Sequence, residues 1–223
     1  MNVIRYWLIA VVLAAGAHPA RADEAAKAQA LIDAARTVFA DFLADPEMNW
    51  FRENMHRARG LLIVPYHAKA GFILGGSGGS GALLARDPAT GRWSMPAFYT
   101  IGAASIGLQA GAQSSQLILV VMTNSGLDSI VDGKVQLGAN MSIAAGPVGA
   151  SAEAATADVL AFARNKGVFG GLTAEGSVIS PNEERNAAYY GSQATSMDVI
   201  VRRTAWNAGA QPLIDAVAAT LGN

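Results

Sequence analysis

The 223-residue chain has no cysteine. That excludes disulfides, thiolate metal sites and an acylated lipoprotein cysteine. Charge is scarce as well: Asp, Glu, Lys and Arg make up 15%, against roughly 25% in an average soluble domain. Histidine is rare, and beyond residue 22 only His56 and His67 are present. Two histidines without suitably spaced carboxylates do not form a metal site, and His67, between Tyr66 and Lys69, reads as a solvated loop residue. From Gly91 to Leu127 there is no Asp or Glu. No long heptad repeat, low-complexity tract or interdomain linker is visible.

What is present is apolar and glycine-rich: 52% hydrophobic residues, 24 glycines and only 7% aromatics. This length usually means one domain. The composition suggests a β-rich body with tight turns. Residues 1–22 read as a secretory signal. Arg5 gives the positive start, Trp7 to Ala15 the short apolar run, and Ala20-Arg21-Ala22 the small-x-small site, so cleavage is expected before Asp23. The apolar run is about half the ~20 residues a bilayer span needs. Losing Arg5 and Arg21 takes the 16 basic residues to 14 against 17 acidic ones, a net charge of −3. That argues against general nucleic-acid binding, which needs a basic face. With no disulfides, about 200 residues are enough for a self-sufficient core.

Glu24 to Ala44 has helical spacing, with Ala28, Leu31, Ile32, Ala35, Val38, Phe39 and Phe42 on one face. Asp45-Pro46 reads as an N-cap followed by proline at the first helical position, opening a second helix to about Ala58. From Gly60 the pattern changes to strands. Leu61–Pro65 and Gly71–Leu74 read as separate runs around a Tyr66–Lys69 turn, and Ala82–Arg86 as a third. Asp87-Pro88-Ala89-Thr90-Gly91 is a turn. Trp93–Leu108 and Gln116–Met122 continue the strand pattern. Thr123-Asn124-Ser125 caps a short helix to Val131. Lys134–Ala144 alternates as a half-buried strand should. Asp158–Arg164 and Val168–Ile179 follow as strands, then helices Pro181–Tyr190 and Pro212–Leu221. The fold class expected is α+β, a curled antiparallel or barrel-like sheet with N-terminal helices and a C-terminal helix. Residues 23–223 form one domain: a helical part at 23–58, a β-rich core at 60–180 and a helical end at 181–223.

Two strings invite chemistry and fail on context. Gly75-Gly76-Ser77-Gly78-Gly79 matches G-x-S-x-G. That motif needs a strand-turn-helix elbow with a histidine downstream, and both histidines lie upstream. Gly76, Gly78 and Gly81 match G-x-G-x-x-G without the helix or the acid a dinucleotide site requires. A glycine-rich hairpin is the plainer reading. Asp87, Asp128 and Asp132 are the only carboxylates of the central region and read as turn residues or caps.

Basic residues are the other feature. Arg52, His56 and Arg59 share a face at i, i+4, i+7 if the second helix is continuous, with Arg57 beside them and Glu47 and Glu53 partly balancing the charge. Lys69, Arg86, Arg92, Lys134 and Lys166 fall near predicted strand ends. Guanidinium groups pair with phosphate oxygens in bidentate fashion. The ordinary alternative is a solvated helix face.

Several segments together resemble the SYLF domain family. They are Ala58-Arg59-Gly60-Leu61-Leu62-Ile63, Lys69-Ala70-Gly71-Phe72, Ser80-Gly81-Ala82-Leu83-Leu84-Ala85-Arg86 and Gly107-Leu108-Gln109-Ala110-Gly111. The series continues with Ala144-Ala145-Gly146-Pro147-Val148-Gly149, Lys166-Gly167-Val168-Phe169-Gly170-Gly171, Glu175-Gly176-Ser177 and Asn186-Ala187-Ala188-Tyr189-Tyr190-Gly191. The resemblance implies a phospholipid-binding domain. Yeast, plant and human members bind phosphoinositides especially, and some bind actin. This chain is similar to the exported bacterial type, for which anionic phospholipid head groups are the natural substitutes. The acidic N-terminal helix and Ser77 in the glycine segment depart from the eukaryotic pattern.

The expectation is therefore a non-enzymatic, periplasmic phospholipid-binding domain without cofactor or metal. Its candidate lipid-binding residues are Arg52, Arg57, Arg59, Lys69, Arg86 and Lys166. The expected partner is a membrane with anionic head groups, not nucleic acid. The alternatives are a structural or protein-interaction module of the cell envelope, and a hydrolase acting on lipid or glycan.

Overall fold

A computed structural model describes residues 18–71, 74–106, 111–147, 157–165, 176–191 and 193–221. Lys166, most of the signal segment and the Gly107-Leu108-Gln109-Ala110 and Gly167–Gly171 segments lie outside the described residues.

Helix α1 runs from His18 to Ala44. Its predicted stripe is its buried face: Ala28, Ile32, Ala35, Val38, Phe39 and Phe42 are at most 3% exposed. It starts before the expected cleavage site and continues through it. Asp45 closes the connection, its Oδ1 accepting from the Glu47 N–H at 3.0 Å above a 3-10 turn at Pro46–Met48. Then come α2 (Asn49–Asn54) and a second 3-10 turn (Met55–Arg57).

The strands are β1 (Gly60–Gly71), β2 (Leu74–Ala85), β3 (Ala97–Ile106), β4 (Gly111–Val121), β5 (Val135–Gln136), β6 (Ile143–Ala145), β7 (Val159–Asn165) and β8 (Val178–Pro181). They form one sheet in the order β5-β8-β3-β2-β1-β4-β7-β6. Every described pairing between neighbouring strands is antiparallel except β6 with β7, which is parallel. Helix α3 (Asn124–Asp132) follows β4, and α4 (Glu183–Tyr190), α5 (Ser196–Ile200) and α6 (Gln211–Ala218) follow β8.

The sheet has to curl. Eight strands spaced about 4.8 Å apart span roughly 34 Å if flat. Yet β5 and β6, at opposite edges, are joined only by Leu137–Ser142, a segment that reaches about 25 Å even when fully extended. That segment is not extended: it turns at Gly138, whose φ is +83°, and the Gly138 N–H donates to Met141 O at 2.7 Å. The two edges must therefore approach each other, and the sheet forms a half-barrel. This turn also breaks the single alternating strand expected over Lys134–Ala144. Val135, Leu137 and Met141 are buried but Ala139, at the turn, is exposed and Ile143 only half-buried, so the expected alternation holds on either side of the turn and fails within it.

Both faces of the sheet carry a core. On one, Leu61, Ile63, Ala82, Leu84, Phe98, Ile118 and Phe162 pack with Phe39, Phe42 and Phe51 of the N-terminal helices and Leu213 and Val217 of α6. On the other, Leu62, Val64, Leu83, Tyr99, Leu117 and Leu119 pack with Ile130 of α3, Val199 and Ile200 of α5, and the Leu137 turn. Strands buried on both faces lose strict alternation, which explains runs such as Leu61–Val64.

Two corrections concern the glycine-rich half. Tyr66–Lys69 is not a turn: β1 is continuous, with a bulge where its register shifts between Ile63 and Tyr66. Tyr66, His67, Ala68 and Lys69 pair with Ser80, Gly79, Gly78 and Ser77. The glycine segment is itself strand β2, hydrogen-bonded on both sides. The bulge explains Gly79 and Gly81. A Cβ at Gly79 would lie 2.5 Å from Tyr66 O, and one at Gly81 2.8 Å from Ile63 O. Bulges press backbone against backbone and leave no room for a side chain there.

Candidate functional site

Ser77 lies within β2, paired with Lys69 on one side and Ala103 on the other. It stands on no elbow, so the G-x-S-x-G string carries no nucleophile geometry. His67 is half-buried in a strand, with Nε2 buried and unpartnered. Burial, and then the Lys69 charge, lowers its pKa. It is not the solvated loop residue its sequence neighbours suggest.

The basic residues separate into distinct positions. Arg52 points back along the chain. Its guanidinium donates to Leu43 O at 3.1 Å and also to the Asp45 carbonyl and the Asn49 side chain. Those carbonyls end α1, so Arg52 caps a helix C-terminus. The helix carrying it stops at Asn54, and Arg59 lies beyond the 3-10 turn that ends at Arg57. The expected i, i+4, i+7 face is therefore not formed. Arg59 and Arg86 instead meet through the sheet: the Arg86 N–H donates to Arg59 O at 2.8 Å, and the Arg59 N–H to Val121 O at 2.8 Å. Arg86 also donates from Nη1 to His56 O, next to the exposed Arg57. Arg57, Arg59 and Arg86 thus gather at one end of the sheet. Lys69 is exposed near the opposite end of β1, about 30 Å away at strand rise.

Beside the arginine end lie two concavities. The larger is an open cleft of about 800 Å³ between the Asp87–Met95 turn, the Val199–Trp206 segment and α6. The smaller, about 170 Å³, is lined by Arg86, Asp87, Leu127, Asp128, Val201 and Arg203 among others. Asp87 and Arg203 line both. Their ion pair, Arg203 Nη2 to Asp87 Oδ2 at 3.8 Å, marks the ridge between the two. Asp87 Oδ1 accepts from the N–H groups of Thr90 (2.8 Å) and Ala89 (2.9 Å). The Thr90 N–H is the main reason its pKa is lowered. Asp87 therefore shapes the turn, as the sequence suggested.

Three features single this cleft out. Trp206, on its wall, is 67% exposed. Arg203 has φ +54°, a region sparsely used by residues other than glycine. Trp93 is buried against the cleft with its Nε1–H unpartnered. None of Trp206, Arg203 or Asp215 stands out in the sequence, because the cleft is assembled from three distant segments without periodicity.

Residues 102–220 match a family model described as Ysc84: Las17-binding protein actin regulator. The chain is 34% identical over 168 residues to Protein YSC84 of Saccharomyces cerevisiae, covering 72% of this chain and 36% of that one. It is 30% identical over 165 residues to the SH3 domain-containing YSC84-like protein 1 of Homo sapiens, covering 71% of this chain and 48% of that one. The chain belongs to the Ysc84 (SYLF) family. It spans between about a third and a half of the length of these relatives. A further relative is named LAS seventeen-binding protein 3. These names describe binding and regulation, in keeping with a non-enzymatic binding domain. The family match takes in the α5–α6 wall of the cleft and stops short of the Asp87–Met95 wall. No solved structure matches the chain.

Proposed function

We propose that this SYLF domain is a peripheral phospholipid-binding module, exported to the periplasm after cleavage before Asp23. It engages anionic head groups through Arg57, Arg59 and Arg86. The observation that carries this reading is the gathering of those arginines at one end of the sheet, where Arg86 shares the smaller concavity with exposed Val201 and the adjoining cleft holds exposed Trp206. Guanidinium groups suit phosphate, and tryptophan favours the membrane–water interface. Each basic residue near an anionic surface adds about 1 kcal/mol of attraction. No described helix is long and apolar enough to cross a membrane, so attachment on this reading is to the surface. Arg52, committed to backbone carbonyls, and Lys69, at the far end of β1, take no part in the same contact.

Co-sedimentation of the periplasmic protein with vesicles tests it. Binding should rise with phosphatidylglycerol content and fall with salt. Equal binding to neutral and anionic vesicles would sink the proposal. N-terminal sequencing of the same material should begin at Asp23.

A second reading is a protein-interaction module of the envelope. It is favoured by Tyr66, 70% exposed on the glycine-rich half of β1, and by relatives whose names record protein binding. Stoichiometric capture of one envelope protein, lost in Tyr66→Ala, would support it.

A further inference from the structure

The cleft beside the arginine end has its own charge pattern. Two guanidinium groups, Arg92 and Arg203, and two carboxylates, Asp87 and Asp215, line it. Arg203 is taken up internally: it pairs with Asp87 and donates from Nη1 to Arg92 O at 3.4 Å. Asp87 is satisfied by Arg203 and the turn N–H groups. Arg92 has no ion pair among the described residues. Asp215, exposed on α6, is met at Oδ1 by the neutral Gln211 side chain, whose Nε2 donates at 2.8 Å. What the cleft offers a ligand is therefore one uncompensated positive charge and one uncompensated negative charge, from different walls.

That pattern selects against the simple alternatives. An anion would meet Arg92 but also face Asp215. An apolar ligand would desolvate both charges with no partner for either, at considerable cost. A ligand carrying both signs satisfies both. The exposed indole of Trp206 offers a face on which an ammonium group is attracted by the ring quadrupole. Met95, Ile214 and Ala218 supply apolar lining, and the volume is within the usual range for small-molecule sites.

We infer that this cleft binds the zwitterionic head group of a glycerophospholipid, with the phosphate on Arg92 and the ammonium between Asp215 and Trp206. The inference rests on the membrane-binding reading for its biological setting, but the cleft chemistry stands separately. It adds a selective pocket to the non-selective electrostatic contact of Arg57, Arg59 and Arg86.

The test is a tryptophan-fluorescence titration with soluble glycerophosphoethanolamine, alongside glycerophosphate and ethanolamine as half-ligands. The whole head-group analogue should saturate and each half should bind at least tenfold more weakly. Asp215→Asn should weaken the analogue about tenfold while leaving glycerophosphate unweakened, and Arg92→Gln should weaken both. Both residues are exposed, so circular dichroism should show intact folds. Glycerophosphate binding as well as the full analogue, or no saturable binding at all, would overturn the inference. Vesicle binding separates the two proposals. If phosphatidylglycerol vesicles bind and the analogue does not, the cleft inference alone fails. If the analogue binds and vesicles do not, the membrane reading alone fails.

Discussion

The buried side chain of Asn186 hydrogen-bonds both backbone groups of Phe98. Its Oδ1 accepts from the Phe98 N–H at 2.8 Å, and its Nδ2 donates towards Phe98 O at 3.5 Å. The β3–β8 ladder begins at Tyr99, one residue on. Asn186 on α4 thus continues the ladder where β8 has ended, while Nδ2 also donates to Glu183 Oε2 at 2.9 Å. Replacing it by alanine orphans a buried N–H. We expect Asn186→Ala to lose about 1–3 kcal/mol of stability. The urea midpoint should fall with the slope unchanged; an unmoved midpoint would show that water replaces the amide.

Glycines in β2 should differ sharply from one another. Gly79→Ala places a methyl against Tyr66 O, whereas the nearest atom to a Cβ at Gly76 is 3.7 Å away. Gly79→Ala should destabilise by about 1–3 kcal/mol, in the range of overpacking. Gly76→Ala should be neutral or slightly stabilising, because it restricts the unfolded chain. Thermal melts of the pair decide it, and equal effects would refute the bulge argument.

Acid should weaken the molecule through two carboxylates. Asp158 accepts from Ser142 Oγ at 2.6 Å and Thr123 Oγ1 at 2.7 Å, and these bonds lower its pKa. Asp198 closes the α5 capping box with Thr195 and has a pKa lowered to about 2, chiefly by the Thr195 hydroxyl. A folded pKa below the unfolded one gives stability that is complete above about pH 4 and is lost as pH falls through the folded value. Asp158→Asn and Asp198→Asn should each be less stable than the parent at pH 7. In denaturant titrations the Asp198 gap should narrow between about pH 4 and 2, and the Asp158 gap should narrow as pH falls below about 4.

His67 adds a gentler dependence nearer neutrality. Its lowered pKa means that the folded state resists protonation. Stability should therefore decline as pH falls below about 6.5, the ordinary imidazole value. His67→Gln should flatten that part of the curve, and an NMR titration of the ring should give a midpoint below 6.5.

The membrane reading predicts a graded electrostatic loss. Arg57→Gln and Arg59→Gln should each weaken binding to anionic vesicles about fivefold, following the ~1 kcal/mol per charge. Lys69→Gln, at the distant end of β1, should leave it unchanged. Co-sedimentation at low salt is the measurement.

Local signals in the sequence survived folding well. The α1 stripe, the Asp45 and Thr123 N-caps and the Asp87 turn are where their residue types place them. Long-range geometry was less legible. A bulge disguised Tyr66–Lys69 as a turn, because its cause lies in the glycines of the neighbouring strand. Low β-propensity hid the Gly75–Gly81 part of β2, which is held by partners on both sides rather than by its own side chains. Helix α5, only five residues long, had too short a repeat to read. At the basic end, Arg57, Arg59 and Arg86 were legible as charges. The different task of Arg52 was not, since its partners are backbone carbonyls that carry no sequence mark. Trp206 was not legible either: it is a lone aromatic after Arg202 and Arg203, outside any amphipathic pattern.

The short connection between β5 and β6 couples two places that a strand diagram puts farthest apart. One edge strand cannot swing away without dragging the Leu137 turn that anchors the other. The outer strands should therefore open as one unit, and amide exchange at Val135 and Ala145 should report the same opening free energy. A sheet with two nominal edges would then behave, in its fluctuations, as if it had a single seam.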